Sequence, residues 1–298
     1  MSSVVILTDN AAQCLGNKFP GSDLVSILPY HVHANGASLT DARMLKLGLL
    51  PPTVRPNSAR VSPPLPEDFR QAFLALERKY QEIVVLLPSA RLGATYANAC
   101  QAAAAVKSAA TLHLIDSGNT AVGLGLMVQV AAEAAANGMS GGAISRLLRG
   151  LAPHVYSLFC AQGLTYLARA GALDPAQAIA GEMLGVIPFF VLDGGGLIPI
   201  QKARSSRHLL DTFYEFVSEF ECVRHVAVIE GASPYDQEGR TLRERLMAAN
   251  SSISISEHPL SLPVAGLFGP RCLGVAVLEN APELSGYLKF LSHGGSFS

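Results

Sequence analysis

Short runs of consecutive apolar residues alternate along the first half of the chain with longer segments whose apolar positions recur every three or four residues. "SVVILTD", "DLVSILPYHV", "EIVVLLPS" and "TLHLIDS" read as strands, β-branched and ending in polar loops. Between them, "PEDFRQAFLALERKY" places Phe69, Phe73, Leu74 and Leu76 at helical spacing behind a Pro66-Glu67-Asp68 start. "GATYANACQAAAAVKSA" reads as a second helix, and "TAVGLGLMVQVAAEAAANG" as a third that closes at Asn137-Gly138. Strands without polar alternation, separated by helices, predict βαβ units and a mainly parallel sheet covered on both faces. "SGGAISRLLRGLAPHVYSLF" reads as a helix entering a strand and marks a domain boundary. In the second half "LTYLARAGALDPAQAIAGEMLG" is helical with two breaks. The two runs around "DGGG" in "VIPFFVLDGGGLIPIQKAR" predict a hairpin, because glycine adopts the positive φ of tight hairpin turns. "SRHLLDTFYEFVSEF" and "YDQEGRTLRERLMAAN" read as helices; "CVRHVAVIEG", "ISISEHP" and "LGVAVLE" read as strands. The expected fold class is α/β with two α/β domains, residues 1–150 on a mainly parallel sheet and 151–298 on a mixed sheet with helices.

Composition narrows the class. Of 298 residues, 49% are hydrophobic and only 15% charged, yet no window holds the ~18 uncharged apolar residues of a membrane span. The nearest, "NTAVGLGLMVQVAAEAAANGM", is interrupted by Gly, Gln and Glu and reads as a buried helix. "MSSVVILTDN" has no basic leader region and reads as a first strand, so a soluble, cytoplasmic protein is expected. A net charge of -1 with dispersed signs argues against nucleic-acid binding or a polybasic membrane patch. The five cysteines (Cys14, Cys100, Cys160, Cys222, Cys272) form no CxxC pair. They predict buried, reduced thiols rather than a disulfide framework or a zinc site.

Signatures of catalysis are missing: there is no GxxxxGK[ST], GxSxG or HExxH, and "GLGLMV" lacks the third glycine of a dinucleotide fingerprint. His31 and His33 share one face of a strand without a third ligand nearby. The stretch "PPTVRPNSARVSPPLP" reads as a stiff loop. No enzyme activity, metal or cofactor is expected.

What carries further is the order of the polar loops at the strand ends, where open α/β sheets bind ligands. Thr8-Asp9-Asn10, then Pro52-Thr53-Val54-Arg55-Pro56-Asn57, then Ser89-Ala90-Arg91-Leu92-Gly93-Ala94-Thr95-Tyr96, then Ile115-Asp116-Ser117 with Gly123-Leu124-Gly125 resemble the DegV family. The family's counterparts are TDS, PTTSQPS, SSxLSGTYQSA and IDS followed by a GLG helix. The segment from "LTYLARAGALDPAQ" to "IQKARS" is similar to the family's YLRRGGRI core, helix, strand and "DG" hairpin, and "GLFGPRCLGVAVL" to its THTGPGALGLAF. The resemblance spans essentially the whole chain. It implies a fatty-acid-binding protein with the acyl chain in an apolar tunnel of the first domain. The second domain closes the head-group end, and the carboxylate is presented to a fatty acid kinase subunit.

The chain departs from the family at the head group. Val54 replaces a serine, Gly93 and Ala94 stand for the Ser-Gly of LSGT, Ala172 for the GGR arginine and Leu267 for the histidine. Arg271 takes the place of a glycine. The resemblance then implies a ligand-binding set of Thr53, Arg55, Arg91, Gly93, Ala94, Thr95 and Arg169, with arginine replacing the missing donors. Each has a plainer reading as well: a loop cap for Thr53, a tight turn for Gly93-Ala94, solvated charges for the arginines. Asn10 reads as structural and Tyr96 as packed on the core. The expected ligand is a long-chain fatty acid or similar lipid; the alternatives are another amphipathic or acidic small molecule, or loss of binding with the missing donors.

Overall fold

The structure is a computed structural model that describes residues 3–34, 36–39, 46–55, 57–233, 235–249 and 253–280. Its described residues fall into two compact units. Residues 3–30 and 63–154 form the first; those within 31–62 and 155–280 form the second. The stretch 31–62, early in the sequence, thus packs with the later half of the chain.

The first unit is built on a parallel sheet of β1 (Val4–Asp9), β2 (Val25–Leu28), β6 (Glu82–Leu87) and β7 (Thr111–Asp116), in the order β2-β1-β6-β7. Side chains alternate across it, and both faces are buried along the central strands β1 and β6. Val5, Leu7, Ile83, Val85 and Leu87 pack on Phe69 and Phe73 of α1 (Pro66–Leu76) and on Ala99 and Ala102 of α2 (Thr95–Ala105). The other face carries α3 (Ala121–Ala136) and α4 (Gly141–Leu151), which contact β1, β6 and β7. This is why the central strands β1 and β6 are apolar along nearly their whole length rather than alternating. Helix α3 is buried from Ala121 to Ala135, so its uniform hydrophobicity is that of an interior helix. Gly125 makes this packing possible: a Cβ there would stand 1.9 Å from the Gln13 carbonyl oxygen.

The expected single strand "DLVSILPYHV" divides at Pro29. β2 stays in the parallel sheet, while β3 (His31–Ala34) pairs antiparallel with β4 (Ala37–Leu39) and β5 (Arg60–Ser62) in the second unit. Proline has no N–H for the ladder, and the Tyr30 N–H donates to Asn10 Oδ1 at 2.9 Å instead. β5 also corrects the reading of the proline-rich stretch as loop throughout.

The second unit carries a six-stranded mixed sheet in the order β10-β9-β8-β13-β11-β12. Its strands are β8 (Val155–Ala161), β9 (Ile187–Asp193), β10 (Gly196–Ala203), β11 (Val223–Glu230), β12 (Ser254–Pro259) and β13 (Cys272–Glu279). β9 and β10 form the expected hairpin, with Gly196 opposite Asp193 and positive φ at Gly194 and Gly195. Helices α7 (Ser206–Ser218) and α8 (Tyr235–Ala249) cover the core of Leu158, Phe189, Phe213, Val226, Val228 and Val275. "LTYLARAGALDPAQAIAGEM" divides into α5 (Leu164–Arg169) and α6 (Pro175–Met183), with Asp174 capping α6 through the Ala176 and Gln177 amides. A helix the pattern did not single out, α9 (Leu262–Phe268), precedes β13 and stacks Phe268 on Phe159.

A chain of polar side chains runs from the start of β11 along β12. The His225 ring meets Ser254 Oγ at 3.0 Å and Ser256 Oγ at 2.8 Å, and Ser256 Oγ meets His258 Nε2 at 2.8 Å. Burial lowers both imidazoles, His225 to about 3 and His258 to about 4. The cysteines are free thiols. Against the expectation of five buried thiols, only Cys160 and Cys272 are buried; Cys14 and Cys100 are half-buried, and Cys222 is exposed in the turn before β11.

Candidate functional site

In the first unit the candidate residues gather where the parallel strands end. Asp9 closes β1 and is fully buried. Its Oδ1 accepts from the Ala11 amide at 2.9 Å, while Oδ2 has no hydrogen-bond partner among the described residues. Burial raises its carboxyl to about 7, opposed by the hydrogen bonds from the Ala11 and Ala12 amides. Tyr30 sits beside it. Burial, and next the negative charge of Asp9, push its phenol above the ordinary range, and its hydroxyl lies 3.1 Å from Thr95 Oγ1.

Thr95 opens α2 and is itself buried, with its hydroxyl 3.1 Å from that of Tyr30, where either oxygen can be the donor. Ala94 at the N-cap has helical backbone angles and no side-chain cap, which leaves first-turn amides without a capping side chain. Gly93 has open space where a Cβ would be, so neither a close approach nor a positive φ demands glycine there. Arg91 is exposed, its amide on Ser89 Oγ at 3.2 Å. The loop is braided to the one after β7. Asp116 Oδ1 accepts from the Ala90 and Gly118 amides, and the Ser89 amide donates to the Asn119 carbonyl at 2.9 Å. Ala121, where α3 begins, holds φ 50°, a left-handed conformation that costs about 1–3 kcal/mol in a non-glycine residue.

In the second unit Thr53 lies in a loop tied down at both sides. The Tyr166 hydroxyl donates to the Pro51 carbonyl at 2.7 Å, and the Val54 amide donates to Thr165 Oγ1 at 3.1 Å. Thr165 in turn gives its amide and hydroxyl to Glu182 Oε1 at 2.8 and 2.9 Å. Arg169 is engaged by its own surroundings. It donates to the Ala59 carbonyl at 3.1 Å and lies 5.7 Å over the Tyr166 ring, and partial burial lowers its guanidinium. Arg55 is exposed, with its amide on Ser58 Oγ; Pro56 of the same motif lies outside the described residues.

The sequence reading had Arg271 only as a departure from the family pattern and did not single out Gln162 or Glu182. The structure brings all three to one cavity of about 250 Å³ with Pro52, Thr53 and Ile187. The signal for Arg271 was available, since an arginine follows Gly269-Pro270 where the resemblance calls for glycine. Among the described residues, no three or more His, Cys, Asp or Glu side chains are grouped to hold a metal ion.

These features define a two-unit α/β protein with polar loops at the carboxyl ends of a parallel sheet and a separate polar cavity on a mixed sheet. Comparison with known proteins gives the class its name. Residues 3–280 match the family model described as "Uncharacterised protein, DegV family". The chain belongs to the DegV family. A DegV domain-containing protein of Staphylococcus aureus (strain COL) is 24% identical over 288 residues, 94% of this chain and all of that one. Among solved structures, the fold is similar to "Fatty Acid Binding of a DegV family Protein from Thermus thermophilus", with a TM-score of 0.78 and 21% identity over 94% of this chain and 100% of that one. It is also similar to the Streptococcus pneumoniae fatty acid kinase B3 protein loaded with linoleic acid. There the TM-score is 0.77 and the identity 15%, over 93% of this chain and 100% of that one. Among the described residues, no helix is long and apolar enough to cross a membrane.

Proposed function

We propose that this protein is a fatty-acid-binding protein of the cytoplasm, a carrier rather than a catalyst. It holds a long-chain acyl group in an apolar tunnel of the first unit and presents the carboxylate to a fatty acid kinase. The observation that supports this most is the family match over nearly the whole chain, together with a fold shared with fatty-acid-loaded proteins. An acyl chain in such a tunnel gains ~0.8 kcal/mol for each buried CH2. Its carboxylate needs donors once it leaves water. The donors proposed are the Thr53 and Thr95 hydroxyls, the Gly93 and Ala94 amides, and the guanidinium groups of Arg55, Arg91 and Arg169.

Native mass spectrometry of the gently purified protein tests the reading directly: a co-purified mass of a C14–C20 fatty acid supports it. In binding assays Thr53→Val with Arg91→Ala is expected to lower oleate affinity at least tenfold while the fold survives. An affinity within twofold of wild type would show that these groups do not hold the carboxylate. The departures at Val54, Gly93 and Leu267 favour a second reading, a carrier for a different amphipathic or acidic small molecule. Co-purification of such a compound in place of a fatty acid would select it.

A further inference from the structure

We propose that Arg271 is a further head-group cation of this chain, added to the donors named above and holding a ligand carboxylate in the cavity it shares with Thr53. The identity of the anion rests on the fatty-acid reading above; the location rests on the cavity itself. At about 250 Å³ the cavity falls below the ~300–1,000 Å³ that drug-sized ligands fill, so it suits a head group and the first carbons behind it rather than a whole acyl chain. Val186 and Ile187 provide an apolar wall for those carbons, and Thr53, Gln162, Glu182 and Arg271 provide the polar lining.

The walls are fixed by the fold. Arg271 stands just before β13 and Gln162 just after β8, neighbouring antiparallel strands that pair Cys272 with Ala161, and the Gln162 amide donates to the Arg271 carbonyl at 3.2 Å. The backbone leading into Arg271 is set by Gly269 at φ +83°, whose Cα side packs against Tyr166 and Gly163. The opposite wall, Pro52-Thr53, is tied through Pro51 to Tyr166 and through Val54 to Thr165.

Within this frame the charges are arranged unevenly. Glu182 spends Oε1 on two hydrogen bonds from Thr165 and makes no ion pair with Arg271, although both line the same cavity. Arg271 and Thr53 both line the cavity, so a residue with a forked cation and one with a neutral donor border the same space. A carboxylate matches that pair, taking two parallel N–H donors from arginine and one O–H from threonine. Arg169, by contrast, already donates to the Ala59 carbonyl and lies over the Tyr166 ring.

The test uses the full chain, with oleate and oleyl alcohol as probes of equal length that differ in head-group charge. Arg271→Ala is expected to weaken oleate ten- to a hundredfold and to leave oleyl alcohol within twofold. Arg271→Lys, which keeps the charge without the fork, should fall between. Thermal unfolding of both variants reports whether the fold is kept. Oleate binding within twofold of wild type in Arg271→Ala overturns the proposal. So does equal weakening of both probes, which would mean a structural role. Failure of the wild-type protein to bind either probe sinks the fatty-acid reading, and this assignment of the anion with it.

Discussion

A histidine–serine chain in the mixed sheet and a carboxyl at the end of the parallel sheet are buried in different circumstances. In the mixed sheet of the second unit, His225, Ser254, Ser256 and His258 sit along neighbouring strands and satisfy one another in a continuous chain. In the parallel sheet of the first unit, the buried polar side chains lie at the strand end, and Asp9 keeps a buried oxygen without a partner among the described residues. A satisfied chain stabilises and orders the sheet that contains it. An unsatisfied carboxyl is costly, and it lies where this architecture places ligands. The contrast is between a polar chain that satisfies itself and a carboxyl that the fold leaves half satisfied.

The sharpest way to disturb the first unit is Gly125→Ala. The added methyl would collide with the Gln13 carbonyl and the Cys14 amide, backbone that cannot swing aside. A loss of about 3 kcal/mol or more is expected, seen as a lower urea midpoint at unchanged slope; a midpoint equal to wild type would show that the α3 contact is loose. In the second unit Ser256→Ala removes the hydroxyl that both imidazoles share. It should cost about 2–3 kcal/mol, because His225 and His258 are each left with a buried unpaired nitrogen. A loss under about 0.5 kcal/mol would mean the chain is ornamental to stability.

Titration compares the two regions directly. The histidines have folded pKa values of about 3 and 4 against an ordinary 6.5, so below pH 6.5 the unfolded state binds more protons and stability falls as pH drops. Their contribution is fully present above pH 6.5 and declines toward pH 4 at about 1.4 kcal/mol per unit for each ring. Asp9 has the opposite sign. Its folded value of about 7 lies above the ordinary 3.8, so its contribution is fully present below pH 3.8 and is lost as pH rises toward 7. Between pH 4 and 6.5 one histidine's worth of slope remains from these three groups. Asp9→Asn should therefore roughly double the acid sensitivity in that window while stabilising the protein at pH 7.5. A slope that Asp9→Asn does not change would place the Asp9 carboxyl in the ionised state when folded.

The smallest expected effect sharpens the site. Gly93→Ser restores the hydroxyl that the family carries, in open space, and should raise oleate affinity severalfold at unchanged unfolding temperature. Affinity equal to wild type would show that the head group is not near the start of α2.

The alternation of apolar runs and helical periods was enough to read the parallel sheet, the buried α3 and the Asp193–Gly196 hairpin. These follow from local rules: strand burial on two faces, helix spacing, and glycine in a hairpin turn. Thr8-Asp9 and Thr95 could be placed at strand and helix ends for the same reason. Other features had no local signal. Pro29 looked like an interruption within one strand, whereas it parts two strands that belong to different sheets. The neighbour of Thr95 had no signal either: Tyr30, 65 residues earlier, lies against its hydroxyl. Arg271, Glu182 and Thr53 are far apart in sequence and meet only because β8 pairs with β13 and Thr165 joins α5 to both the 51–54 loop and α6. Periodicity specifies what each segment becomes, since it acts over a few residues. Which polar groups share a cavity is settled by strand pairing and packing across the chain, and only the folded molecule sets those distances.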